Sequence, residues 1–136
     1  MLHPFPHNYK HEDPAVELRN VTCGYGGIPI LSNINLEVMS GEFVGMLGPS
    51  GSGKTTLLNI IGGLDSASNG QVRVLGKALD NTSHSERAKL RREYMGFIFQ
   101  SYNLLPVYTV FENVELPLIL NKVETIERNK KVKQAV

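Results

Sequence analysis

A single cysteine, a net charge of only +1 and the absence of any long apolar run are the first limits that this 136-residue chain sets. Cys23 alone excludes an internal disulfide and alone makes no metal site; with no evident partner to activate it as a nucleophile, it reads as a small packed thiol. The near-balance of charge gives no case for nucleic acid as a partner. No stretch approaches the roughly 20 apolar residues of a membrane span. The N-terminus Met1-Leu-His-Pro-Phe-Pro6 lacks the basic and apolar regions of a signal peptide, so a cytoplasmic location is expected. No internal repeat is visible. What remains, at 41% hydrophobic residues, reads as a globular unit with a modest core.

Residues 1–14 stand apart. Pro4, Pro6 and Pro14 interrupt a polar run that holds His3, His7 and His11. On a helix that spacing would align three imidazoles for a metal, but the prolines oppose the helix, and a mobile tail is the expectation. From Ala15 the pattern becomes regular. Val16, Leu18 and, less cleanly, Val21 suggest a strand; Ile34, Leu36 and Val38 alternate with Asn33, Asn35 and Glu37 in a clearer one, turned through Ser40-Gly41. Val72 and Val74, between Gly70 and Gly76, mark a further half-buried strand. Two capping boxes, Ser83-x-x-Glu86 and Thr109-x-x-Glu112, open helices, the second of which Pro117 must bend or end. The segment from Lys122 to Val136 is charged and helix-prone.

The passage with a decipherable chemistry is Gly48-Pro49-Ser50-Gly51-Ser52-Gly53-Lys54-Thr55. It follows the apolar run Phe43–Leu47, expected to be a buried parallel strand, and precedes Thr56-Leu-Leu-Asn-Ile-Ile61, which has the spacing of a core-packed helix. Strand, loop and helix in that order fit the phosphate-binding P-loop pattern G-x-x-x-x-G-K-[ST]. Its backbone N–H groups turn inward on a polyphosphate, its Lys reaches the outer phosphates, and its hydroxyl holds Mg²⁺. The helix adds the partial positive charge of its N-terminus.

Two residues outside the loop read two ways each. Tyr25, in the loop Gly24-Tyr-Gly26-Gly27, is either a turn residue with a packed ring or an aromatic that stacks on a purine. Gln100 closes the apolar run Met95-Gly-Phe-Ile-Phe99, itself expected to be a strand. It is either a solvated strand terminus or an amide placed to coordinate Mg²⁺ or orient an attacking water.

From about Val16 onward these residues together resemble the nucleotide-binding domain of ABC transporters. Gly41 to Asn59 is similar to that family's Walker A segment, Tyr25 falls where its adenine-stacking aromatic falls, and Gln100 where its Q-loop glutamine falls. Gly63-Leu-Asp65, Leu90-Arg-Arg92, Gly96 to Pro106 and Thr109 to Pro117 are similar to the lipoprotein-release and macrolide-export branch. Thr55 stands for the commoner Ser and keeps the hydroxyl, and Ser66-Ala-Ser-Asn-Gly70 replaces a Pro-containing turn.

The resemblance implies an α/β fold: a P-loop NTPase core with an antiparallel β-subdomain and the start of the ABC helical subdomain, all within residues 15–136. It implies ATP and Mg²⁺ as ligands, with Lys54 on the β- and γ-phosphates and the amides from Gly51 to Thr56 around the β-phosphate. Thr55 and Gln100 would complete the Mg²⁺ shell, and Tyr25 would stack on adenine. The implied partners are a transmembrane permease subunit and, in a homodimer, a second nucleotide-binding domain, with the protein peripheral on the inner face of the cell membrane. The exposed loop Leu104-Leu-Pro-Val107 would suit docking to that subunit, or form a local core cluster.

Hydrolysis in this family needs more than these motifs supply. The sequence contains no Leu-Ser-Gly-Gly-Gln signature, no Asp-Glu pair ending a second core strand and no switch His. Asp65 lies ten residues past Thr55, and at about 1.5 Å per residue a helix carries it roughly 15 Å from the metal, so it reads as a loop residue. His84 comes too early. The chain is therefore expected to stop inside the helical subdomain, leaving an unpaired apolar edge beside the P-loop strand, and to be catalytically silent by itself. The alternatives are a binding module that holds ATP or docks a membrane subunit without hydrolysis, and a P-loop kinase or soluble ATPase. The sequence offers no acceptor site or lid for a kinase.

Overall fold

The computed structural model describes Pro6, Tyr9, Lys10 and residues 12–136; the His3, His7 and His11 constellation lies outside the described residues. The chain divides into two compact units, residues 1–94 and 95–136.

The first unit is built on a hairpin. β1 (Val16–Tyr25) and β2 (Ile28–Val38) pair antiparallel from Val16 opposite Val38 to Tyr25 opposite Ile28. Gly26 and Gly27 join them, both at positive φ (59° and 83°), as a two-residue type I′ turn requires. Tyr25 is thus the last residue of a strand at a tight turn, where the sequence suggested a longer loop. On the other side of β1 runs β3 (Asn69–Val74), also antiparallel, followed by the short β4 (Lys77–Ala78), giving the order β2-β1-β3-β4.

The central strand supplies Leu18, Val21 and Cys23 to the core, each at most 2% exposed. Strict alternation would have buried positions 18, 20 and 22. Asn20 sits instead at φ 52° within a register irregularity between Leu18 and Val21. A bulge of this kind inserts one residue and reverses which face the following side chains occupy. That phase change is why Val21 fitted the sequence pattern poorly. Leu31, Val72 and Val74 complete the sheet's apolar face, and α1 (Lys54–Ile61) adds Leu57 and Ile60. α2 (His84–Tyr94) adds Leu90, and opens with the expected capping box: Ser83 N–H donates to Glu86 Oε2 (2.9 Å) and Glu86 N–H to Ser83 Oγ (3.3 Å).

Two expected strands do not enter a sheet. Phe43–Leu47 and Met95–Phe99 carry no strand pairing, and Phe43, Leu47 and Ile98 are almost fully exposed. All pairing among the described residues is antiparallel and satisfied within β1–β4, so the parallel sheet expected around the P-loop strand is absent there. Apolar character without a neighbouring strand does not produce pairing.

In the second unit, α3 (Val110–Leu120) starts at a complete capping box, with Glu112 N–H donating to Thr109 Oγ1 and Thr109 N–H to Glu112 Oε2. Pro117 lies inside α3 and does not end it; the helix runs three residues further, to Leu120. α4 (Thr125–Ala135) packs on α3, where Arg128 bridges Glu115 (2.6 Å) and donates to the Val123 carbonyl (3.0 Å).

Candidate functional site

The loop from Gly48 to Thr55 is shaped by glycines that a side chain could not replace. Gly53 is the N-cap of α1 with φ 88°, and a Cβ there would stand 2.8 Å from Leu31 Cδ2 and 3.2 Å from Ile30 Cγ2. The absence of a side chain lets the loop rest directly on β2. Gly51 is also left-handed, at φ 79°, and Ser52 N–H closes a turn on the Pro49 carbonyl (3.3 Å). These conformations are rarely open to other residues.

The same geometry leaves donors without acceptors. No side chain caps α1, and its first turn holds no acidic residue. The N–H groups of Gly53, Lys54, Thr55 and Thr56 have no hydrogen-bond partner among the described residues, the first helical bond being Leu57 N–H to the Gly53 carbonyl at 2.9 Å. Unsatisfied amides at a helix start are an electrostatic invitation to an anion. Lys54 Nζ reaches back over the loop, donating to the carbonyls of Gly48 (2.8 Å) and Pro49 (2.6 Å) and to Ser52 Oγ (3.3 Å). An ammonium has three protons. All three are held here by the loop's own oxygens, with no carboxylate paired to Lys54 among the described residues, and phosphate oxygens offer the same acceptors with the missing charge. Thr55 is exposed, and its hydroxyl has no partner among the described residues. The cradle, the uncapped helix and the free hydroxyl fit a magnesium-bound polyphosphate.

Tyr25 belongs to the same unit, and its ring is about half exposed (55%). Its hydroxyl donates to Asp65 Oδ2, while Ser66 N–H donates to Asp65 Oδ1 at 2.7 Å. The bond to the carboxylate pushes the Tyr25 phenol up to about 12, and the same bond, with that from Ser66, holds the Asp65 carboxyl below its ordinary range. Gln100 lies in the second unit, exposed, directly after Met95–Phe99. Ser50, Gly51, Ser52 and Lys54 thus converge in one loop, Tyr25 is tied to Asp65 rather than to that loop, and Gln100 is carried by the other unit. Leu104, Leu105 and Val107 are exposed, as expected for a surface loop.

Sequence reasoning missed what surrounds Asp65. Arg87, nearly buried, donates from Nη1 to Ser66 Oγ (2.5 Å) and from Nε to Thr82 Oγ1 (3.3 Å), and Arg91 Nη1 holds the Gly63 carbonyl (2.7 Å). Asp65, Ser66, Asp80 and Arg87 line a cavity of about 230 Å³. Nothing local in the sequence signals these contacts.

The family described as ABC transporter matches residues 31–136. The macrolide export ATP-binding/permease protein MacB of Marinobacter nauticus is 47% identical over 120 residues, which are 85% of this chain and 19% of that protein. The lipoprotein-releasing system ATP-binding protein LolD of Francisella tularensis is 47% identical over 114 residues, 81% of this chain and 49% of that protein. Among solved structures, a dimeric post-hydrolysis state of the ATP-binding cassette MJ0796 bound to ADP and Pi superposes with a TM-score of 0.79 at 44% identity, over 88% of this chain and 54% of that one. MJ0796 comes from Methanocaldococcus jannaschii. The chain spans about half the length of LolD and of MJ0796, and a fifth of MacB.

Proposed function

Because the chain belongs to the ABC transporter family, we propose that it is the nucleotide-binding part of an ATP-driven transport subunit of the kind that releases lipoproteins or exports macrolides. The observation that carries the reading is the Lys54 ammonium over an uncapped helix start whose amides have no partner among the described residues. Lys54 binds the β- and γ-phosphates, exchanging the Gly48 and Pro49 carbonyls for phosphate oxygens. The amides from Gly51 to Thr56 surround the β-phosphate, with Gly48, Pro49 and Ser50 forming the wall of the loop. Thr55 supplies a hydroxyl to Mg²⁺. Mg²⁺ neutralises charge between the phosphates when bound. Tyr25 lends its exposed ring face to adenine.

The solved cassette related to this chain is dimeric, and LolD and MacB are named for their ATP-binding roles in release and export. By that likeness the present chain pairs with a second copy of its domain and with a membrane permease, at the cytoplasmic face. The residues in hand bind and orient nucleotide; the signature and the Asp-Glu pair that hydrolysis needs are not in this sequence. Lys54→Ala is expected to abolish binding of a fluorescent ATP analogue, and the wild-type chain to bind it without releasing phosphate. Undiminished binding by the variant would refute the site.

A further inference from the structure

We propose that Asp65 is a positioning residue for the base of the nucleotide, acting through Tyr25; this rests on the reading of the site just given. Tyr25 stands at the end of β1, beside the two-glycine turn, with its ring half exposed and its hydroxyl bonded to Asp65. A ring in that place, without the bond, would sample several rotamers and lose that freedom on stacking. Fixing it beforehand removes the cost from binding.

Asp65 is itself held from three sides. Its N–H and that of Leu64 donate to the Asn59 carbonyl at the end of α1 (3.2 and 2.8 Å). From α2, Arg91 holds the carbonyl of Gly63 and Arg87 the hydroxyl of Ser66. From β1, Thr22 accepts from Ser68 N–H (2.8 Å). The turn from Gly63 to Ser68 is therefore fastened to α1, α2 and the sheet, and a carboxylate on it is a fixed point.

One element then indexes both ends of the ligand. α1 begins at Lys54 and Thr55, which face the phosphates, and leads within four residues of its last turn to Asp65, which orients the ring. Asp65 needs no contact with the nucleotide to affect it. Its contribution should appear in affinity for the base and be silent toward the phosphates.

The test compares ATP with inorganic triphosphate, which lacks the base, on the wild-type chain and on Asp65→Ala, Asp65→Asn and Tyr25→Phe, with thermal melts to establish folding. Asp65→Ala and Tyr25→Phe are each expected to raise the Kd for ATP roughly fivefold, the scale of an ordinary net hydrogen bond, with the Kd for triphosphate unchanged. The double variant should be no weaker than either single one, and Asp65→Asn, which keeps an acceptor, should recover most of the affinity. Wild-type ATP affinity in Asp65→Ala or Tyr25→Phe, or equal losses for ATP and triphosphate, overturns the proposal. Should Asp65→Ala not fold, Tyr25→Phe and Asp65→Asn decide the matter. Failure of the wild type to bind ATP, or of Lys54→Ala to lose it, would strike the phosphate site itself and the proposal with it, an outcome distinct from loss of base discrimination alone.

Discussion

Tyr25 donates its phenolic proton to the carboxylate of Asp65, and each group consequently resists the change of charge that would break the bond. The phenol is raised, to about 12, so what it adds to stability is complete below its unfolded value near 10 and is lost as pH rises from there through 12. The carboxyl is lowered, so its contribution is complete above its unfolded value of 3.8 and is lost as pH falls through its lower folded value. Between those limits the pair is constant, and any effect of Asp65 on base binding should be flat across neutral pH. Of the five tyrosines, one is expected to ionise near pH 12 in an ultraviolet titration of the folded chain, and Asp65→Ala should return it to the ordinary range. A titration complete by the ordinary tyrosine range of about 10 would show that the bond does not form in solution.

At the scale of elements, the signals that succeeded are short. Both capping boxes were legible because a Ser or Thr and a Glu three residues on satisfy each other's backbone N–H within a single turn, whatever surrounds them. The box at Thr109 is exposed, so it can be altered without disturbing a core. Thr109→Ala is expected to cost about 1 kcal/mol in a urea melt at neutral pH. Hydrogen bonds from Thr109 hold the Glu112 carboxyl below its ordinary 4.5, so this stabilisation is present above that value and fades as pH falls through the lower folded one. The part of the difference between Thr109→Ala and wild type that comes from the hydroxyl donating to Glu112 should accordingly shrink in strong acid; a constant difference would mean the hydroxyl acts through accepting the Glu112 N–H alone. What failed was phase and partnership. One bulged Asn20 reverses the alternation of β1, and the apolar runs Phe43–Leu47 and Met95–Phe99 look like strands, although a strand exists only where another backbone accepts its hydrogen bonds.

For the molecule as a whole, the same rule separates the legible half of the site from the rest. Lys54, the loop glycines and Thr55 sit within eight consecutive positions, so their chemistry is written in one word of sequence; Tyr25 and Asp65 are 40 residues apart, and only the fold joins them. The whole chain also leaves apolar surface uncovered. Phe43 and Leu47 of the first unit and Ile98 of the second are nearly fully exposed, and neither run makes strand pairs among the described residues. Burying one such side chain stabilises by about 1.5–3 kcal/mol, and an extended unpaired backbone adds free donors and acceptors to the attraction. The chain by itself is therefore expected to associate. Sedimentation velocity across a range of micromolar concentrations should show species heavier than the monomer, and Phe43→Lys and Ile98→Lys should each shift the distribution toward monomer. Neither substitution touches Lys54 or Thr55, so phosphate binding should persist while association falls. A wild-type chain that remains monomeric at every concentration would mean that these runs are covered in solution by the chain itself.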